Sequence, residues 1–194
     1  EEIKKVKEMV LDNNKKRGNT DALTEAEITR IRGICGECQW YGTQTVPQVL
    51  AKLAEIMGAL PKATTDIISE VNSLVRLLHE CGNVGIKIFK HDEIHFFGWT
   101  DASWGTRPDG SSQGGHVITT CEPATANGVL GGFRVIDWGT RKLKRVSRSS
   151  LSSEMQAAGD CEGELLYCRL AYLEMVTGHV NLDNADSVAK QIPD

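Results

Sequence analysis

No stretch of this sequence is apolar for long enough to span a bilayer, so no transmembrane helix is expected. A secretory signal is missing too, because Glu1-Glu2-Ile3-Lys4-Lys5 is too charged to open one. Internal repeats and low-complexity tracts are absent. The six cysteines (Cys35, Cys38, Cys81, Cys121, Cys161 and Cys168) are few and scattered over 194 residues. That spacing argues against a disulfide scaffold and for reduced, mostly buried thiols. Positive charge is not in excess, since the net charge is −4. Methionine is missing from the first position, as expected of an interior piece of a longer protein or of a processed product. These absences leave a membrane-free protein of the cytosol or nucleus.

What is present is an ordinary globular composition, 40% hydrophobic, enough for one medium domain or two small ones. From about residue 22 the periodicity is helical. Thr24 and Glu27 form a capping-box pattern, followed by Ile28, Ile31, Ile34, Cys35 and Cys38 at helical spacing. A second helix opens near Pro47, with Val49, Leu50, Leu53, Ile56 and Met57 on one side. A third carries Ile67, Ile68, Val71, Leu74, Val75 and Leu78 and ends at Gly82. Residues 1 to about 90 therefore read as a helical segment.

At Val84 the texture changes. The stretch 84–104, then "HVITTC" and "FRVIDW", are rich in β-branched and aromatic residues with turn residues between them. Arg107-Pro108-Asp109-Gly110 is a turn in which proline presets one dihedral and glycine accepts positive φ. These segments predict a three-stranded antiparallel meander. A long helix follows, opened by serines, closed before Gly178, and packed on the sheet through Leu166, Leu170 and Leu173.

Several patterns look chemical and have plainer explanations. Cys35-x-x-Cys38 lacks a second ligand pair at zinc-finger spacing, so core thiols on a helix are expected. His91 and His95 would be about 13 Å apart on an extended segment, too far to share a metal. Gly110-Ser111-Ser112-Gln113-Gly114 matches the nucleophile elbow of serine hydrolases, with Asp160 and His179 following in hydrolase order. That chemistry needs a strand, a sharp turn and a helix, whereas a strand follows Ser112 here. A polar hairpin explains the match better, and a serine hydrolase using Ser112 stays as the remote alternative.

Asp101 is less easily explained. Alternation puts it with Phe97 and Trp99 on one strand face, where an unpaired carboxylate among apolar neighbours is expensive. An ion pair, for instance to Arg107, or a metal ion would compensate it. Glu154 falls in the first turn of the long helix, where the helix dipole favours it. If that helix starts beside the carboxyl end of the first strand, Asp101 and Glu154 converge as half of a Mg²⁺ site. Arg134, Arg141, Lys142, Lys144, Arg145 and Arg148 crowd into fifteen residues with one acid, Asp137. Within that run, Lys142, Lys144 and Arg145 are candidate contacts to a nucleic-acid backbone, or else a solvated strand edge protected by lysine.

"GWTDASWGTRPDGSSQGGHV" and "DWGTRKLKRVSRSSLSSEMQA" together resemble the ribonuclease H domain of copia-type LTR retrotransposon Pol polyproteins. Upstream, "ALTEAEITRIRGICGECQWYGTQTVPQVL" and "LVRLLHECGNVGIKIF" are similar to the segment joining reverse transcriptase to that domain. The resemblance implies an α/β fold with a ribonuclease H-like mixed sheet over about 91–194, incomplete at its carboxyl end. It also implies cutting of the RNA strand of an RNA–DNA hybrid with two Mg²⁺ or Mn²⁺ ions. Asp101 matches the family's first-strand aspartate and Glu154 its first-helix glutamate, and both would be catalytic metal ligands. The expected partners are the hybrid and the remainder of a Pol polyprotein, in cytosol, nucleus or virus-like particle.

The family's third and fourth carboxylates lie beyond the long helix. Asp183 is only an outside candidate for the third, because four residues between it and Gly178 leave no room for a buried strand. Two carboxylates hold a pair of mutually repelling divalent ions poorly, so this stretch alone is expected to be weak or inactive. A decayed or repurposed remnant that binds nucleic acid or protein without cutting is the alternative.

Overall fold

The computed structural model describes residues 2–11, 18, 20–88, 90 and 92–180. The chain divides into two compact units, Glu1–Gly85 and Ile86–Asp194. The division falls slightly before the boundary near residue 90 that composition suggests.

The first unit is built on α1 (Glu25–Gln44), α2 (Leu50–Ala59) and α3 (Ile67–Cys81). Both halves of the capping box at Thr24 and Glu27 are made: the Glu27 amide donates to the Thr24 hydroxyl, and the Thr24 amide donates to the Glu27 carboxylate. Ile31, Cys35 and Cys38 of α1 meet Leu53 and Ile56 of α2 and Val71, Leu74, Val75 and Leu78 of α3 in one core. Pro47 opens a 3-10 turn, Pro47–Val49, that leads into α2. Met57, expected on the buried side, is instead largely exposed, because the α2 stripe runs through Leu53 and Ile56. Gly82 caps α3 with an ordinary right-handed φ of −63°, its amide donating to the Leu78 carbonyl.

The amino-terminal segment has no readable signal in the sequence, yet it is clamped to α3. Asn72 accepts from the Met9 amide at 2.7 Å and donates to the Met9 carbonyl at 3.0 Å. Val6 and Met9 are buried in the same core.

In the second unit, β1 (His95–Ser103), β2 (Gln113–Cys121) and β3 (Arg134–Lys142) pair antiparallel in the order β1-β2-β3. This is the expected meander with helices beside it; the described sheet is wholly antiparallel. β1 begins later than the β-rich composition suggests. The described residues of 84–94 form no strand, and Val84 and Ile88 are exposed, because an extended segment needs a neighbour for its backbone groups. The Arg107–Gly110 turn is closed by the Gly110 amide donating to the Arg107 carbonyl at 2.8 Å, with Gly110 at φ 73°. A short helix, α4 (Pro123–Ala126), lies in the β2–β3 connection, and a bulge leaves Ile136 unpaired between Asp137 and Val135.

The long helix, α5 (Ser150–Thr177), covers one face of the sheet. The Ser149 hydroxyl caps it by accepting from the Ser152 amide, and Gly178 closes it in the left-handed region, φ 78°. The buried stripe runs Ser153, Ala157, Cys161, and an added Cβ on Gly98 would meet Cys161 and Leu165. Leu166, expected on the sheet side, is one position out of phase with this stripe and is 39% exposed. None of the described helices is long and apolar enough to cross a membrane.

Candidate functional site

Strand alternation, anchored by Gly98 against α5, sends Phe97, Trp99 and Asp101 to the opposite face of the sheet. On that face Phe97 and Trp99 stack with ring centroids 6.3 Å apart, and both pack edge-on against Phe133. The Trp99 indole donates to the Thr119 hydroxyl at 2.9 Å. Asp101 continues this row opposite Gly115, but the cluster does not enclose it. Its side chain is exposed, so water solvates the charge and the expected cost of an apolar setting disappears.

Arg107 does not compensate it either. That guanidinium is buried and donates to the Gln113 side chain. Among the described residues, neither the Asp101 nor the Glu154 carboxylate makes a hydrogen bond or an ion pair.

Glu154 begins the second turn of α5 rather than the first, because the helix starts at Ser150. The dipole of a helix acts mainly on its first turn, so stabilisation of the helix end explains Glu154 less well than the sequence suggests. Two links hold that helix end beside the carboxyl end of β1. The Trp104 indole donates to the Ser147 carbonyl at 3.0 Å. Ser112 accepts from the Gly105 amide at 3.1 Å and from the Ser153 hydroxyl at 3.3 Å. Trp104 and Gly105 follow β1 directly, and Ser153 precedes Glu154. Asp101 and Glu154 therefore lie toward the same end of β1 and α5, but Asp101 leaves the sheet on the face opposite α5, so the convergence expected from the sequence is not seen as a contact between the two carboxylates.

The same hydrogen bonds dispose of Ser112 as a nucleophile. It is 5% exposed, directly precedes β2 rather than a helix, and uses its hydroxyl to fasten α5. Asp160, its hypothetical partner, is bound by Arg141 at 3.0 Å.

The basic run divides into engaged and free cations. Lys142 ends β3 and pairs with Asp109 of the turn. That pair and the Ser111 hydroxyl and amide hold the Asp109 carboxyl well below the usual carboxylate range. Arg141 bridges Asp160 and Glu164 of α5. Lys144 and Arg145 are exposed and make no ion pair among the described residues. They line an open cleft of about 560 Å³ together with Val146, Met155 and Gln156.

Sequence reasoning missed one polar pair beneath α5: the His116 Nε2 donates to the Asp137 carboxylate at 2.9 Å, on neighbouring strands, with the imidazole 13% exposed. Only the strand register, which sets Ile118 opposite Asp137, could have revealed it. Among the described residues, no three His, Cys, Asp or Glu side chains cluster as metal ligands. His91 and Asp183 lie outside the described residues, so the His91–His95 spacing and the Asp183 candidate are not placed.

The chain is similar to the retrovirus-related Pol polyprotein from transposon RE1 of Arabidopsis thaliana, 25% identical over 138 residues. The similar region covers 71% of this chain and 9% of that protein, so the chain corresponds to a small part of its relative. No protein-family profile matches the chain. No solved structure matches it.

Proposed function

We propose that this chain is a retrotransposon Pol region whose second unit is a ribonuclease H-type nuclease module, acting on the RNA strand of RNA–DNA hybrids. The observation that carries the reading is the end of the β1–α5 layer. There, among the described residues, a strand aspartate and a helix glutamate make no hydrogen bond or ion pair, and the exposed cations Lys144 and Arg145 precede the helix. Similarity to a transposon Pol polyprotein supports the lineage.

Carboxylate oxygens without protein partners suit Mg²⁺ or Mn²⁺, which are hard cations. In this reading Asp101 and Glu154 hold the metal, and the remaining ligands come from outside the described residues, with Asp183 nearest in sequence. The bound metal supplies an activated water and charge stabilisation at the scissile phosphate. Asp101 is exposed near the strand end, and the helix end that carries Glu154 is held by Ser153 and the Ser149 cap. Lys144 and Arg145 attract the phosphate backbone, whereas Lys142 is occupied by Asp109.

The test is hydrolysis of a labelled RNA–DNA hybrid with Mg²⁺ or Mn²⁺, run on this chain and on a version carrying the codons that follow it in its gene. Metal-dependent cutting by either, reduced at least 100-fold in Asp101→Asn and in Glu154→Gln, is expected. No cutting by both versions, or cutting that survives Asp101→Asn, overturns the nuclease reading and favours a non-catalytic binding remnant.

A further inference from the structure

The loop between β3 and α5, Leu143 to Ser149, carries three cations. Lys144, Arg145 and Arg148 are exposed, and no ion pair engages them among the described residues. Their neighbours in sequence behave differently, since Lys142 is matched by Asp109 and Arg141 by Asp160 and Glu164. Within residues 141–148, the described cations that make no ion pair therefore all lie in the loop. The loop itself is held in place: the Leu143 amide donates to the Ser112 carbonyl, the Arg145 amide to the Gln156 side chain, and Gln156 to the Ser147 hydroxyl.

An aromatic ring sits at the same place. Trp104 is 52% exposed, and its indole N–H, donating to the Ser147 carbonyl, fixes the ring against this loop. The exposed half of this ring faces solvent at a loop whose three cations make no ion pair among the described residues, a surface that a flat anionic ligand would complement. Val146 and Met155 add exposed apolar surface along the cleft next to Lys144 and Arg145.

We infer that Trp104 and the Leu143–Ser149 loop form a binding track for a single nucleic-acid strand, with an unpaired base stacked on Trp104 and phosphates held by Lys144, Arg145 and Arg148. Single strands suit this chemistry because an aromatic face can stack only on a base that has left its duplex, while cations follow the backbone. The inference rests on the reading that this chain handles nucleic acid. It does not require that the chain cuts.

Binding is measured by anisotropy of a fluorescein-labelled oligothymidylate in EDTA, so that metal-dependent cutting plays no part. The combined variant Lys144→Ala, Arg145→Ala, Arg148→Ala is expected to weaken binding at least ten-fold. Its slope of log affinity against log salt should be shallower by about 2, from three lost contacts on a single strand. Trp104→Ala weakens binding by roughly five-fold or more, while Trp104→Phe, which keeps a stacking face and loses the Ser147 hydrogen bond, stays within about two-fold. Lys142→Ala leaves binding unchanged. Equal affinity for a duplex or for polyglutamate, an unaltered combined variant, or equal loss in both Trp104 variants with circular dichroism preserved overturns the track. Hybrid cutting without this binding overturns the track and leaves the nuclease reading standing; binding without cutting does the reverse.

Discussion

Cys35 and Cys38 stand one turn apart on α1 and are closed off from water in the helical core. Burial pushes the Cys35 thiol up to about 11. Burial, then the neighbouring Cys35 and Glu37, pushes Cys38 up to about 12. A raised pKa means that the folded state prefers the protonated thiol. The resulting stability is complete below the unfolded value near 9 and is lost as pH rises through the folded values. The first unit should therefore weaken between pH 8 and pH 10.5, by up to about 2 kcal/mol for Cys38 alone. Urea midpoints at the two pH values check this, and Cys38→Ala should lose less on the alkaline side than the natural chain. The pair was legible as core thiols from its spacing on an apolar helical stripe. Asp101 was legible only as an anomaly, because alternation gives its face but not how far its neighbours enclose it.

Between elements, β2 and α5 approach closely where β2 has no side chain. An added Cβ on Gly114 would lie 2.8 Å from a Leu143 methyl and 3.1 Å from the Ala157 Cβ, inside the contact of β2 with α5. Gly114→Ala should therefore push α5 from the sheet and cost about 1–3 kcal/mol, measured by urea unfolding of the second unit's signal. Helix ends were readable because caps are local: Thr24 with Glu27, Ser149 with Ser152, and Gly178 all act within a few residues. The phase of α5 was not. Leu165 and Leu166 are equally apolar, and only contact with Gly98 turns the helix so that Leu165 meets the sheet. The described residues of 84–94 form no strand for a related reason, since strand propensity does nothing without a partner edge.

At the scale of the molecule, the large core belongs to one unit. Its buried members run from Val6 to Leu78, all within Glu1–Gly85. A fragment of residues 1–85 should accordingly keep its helical circular dichroism and melt cooperatively by itself. A gradual, non-cooperative loss would mean that this core depends on the rest of the chain. The second unit is thinner: α5 covers one sheet face, and the Phe97–Trp99–Phe133 cluster stands on the other, with Trp99 50% exposed. Proposed catalysis and strand binding both fall at one end of that layer.

By itself, the sequence determined the helical first part, the meander, the long capped helix and the pair Asp101 and Glu154 as residues of interest. These follow from periodicity, turn chemistry and motif order, all of which are short-range. Tertiary structure alone decided which charges are cancelled. Lys142 and Asp109 lie 33 residues apart, Arg141 and Asp160 19 apart, and their pairing depends on strand register and helix placement. The same placement set Trp104 against the loop that carries Lys144, Arg145 and Arg148 and buried Ser112 under α5. Coulomb and hydrogen-bond energies act through distance in space, which a linear sequence does not specify.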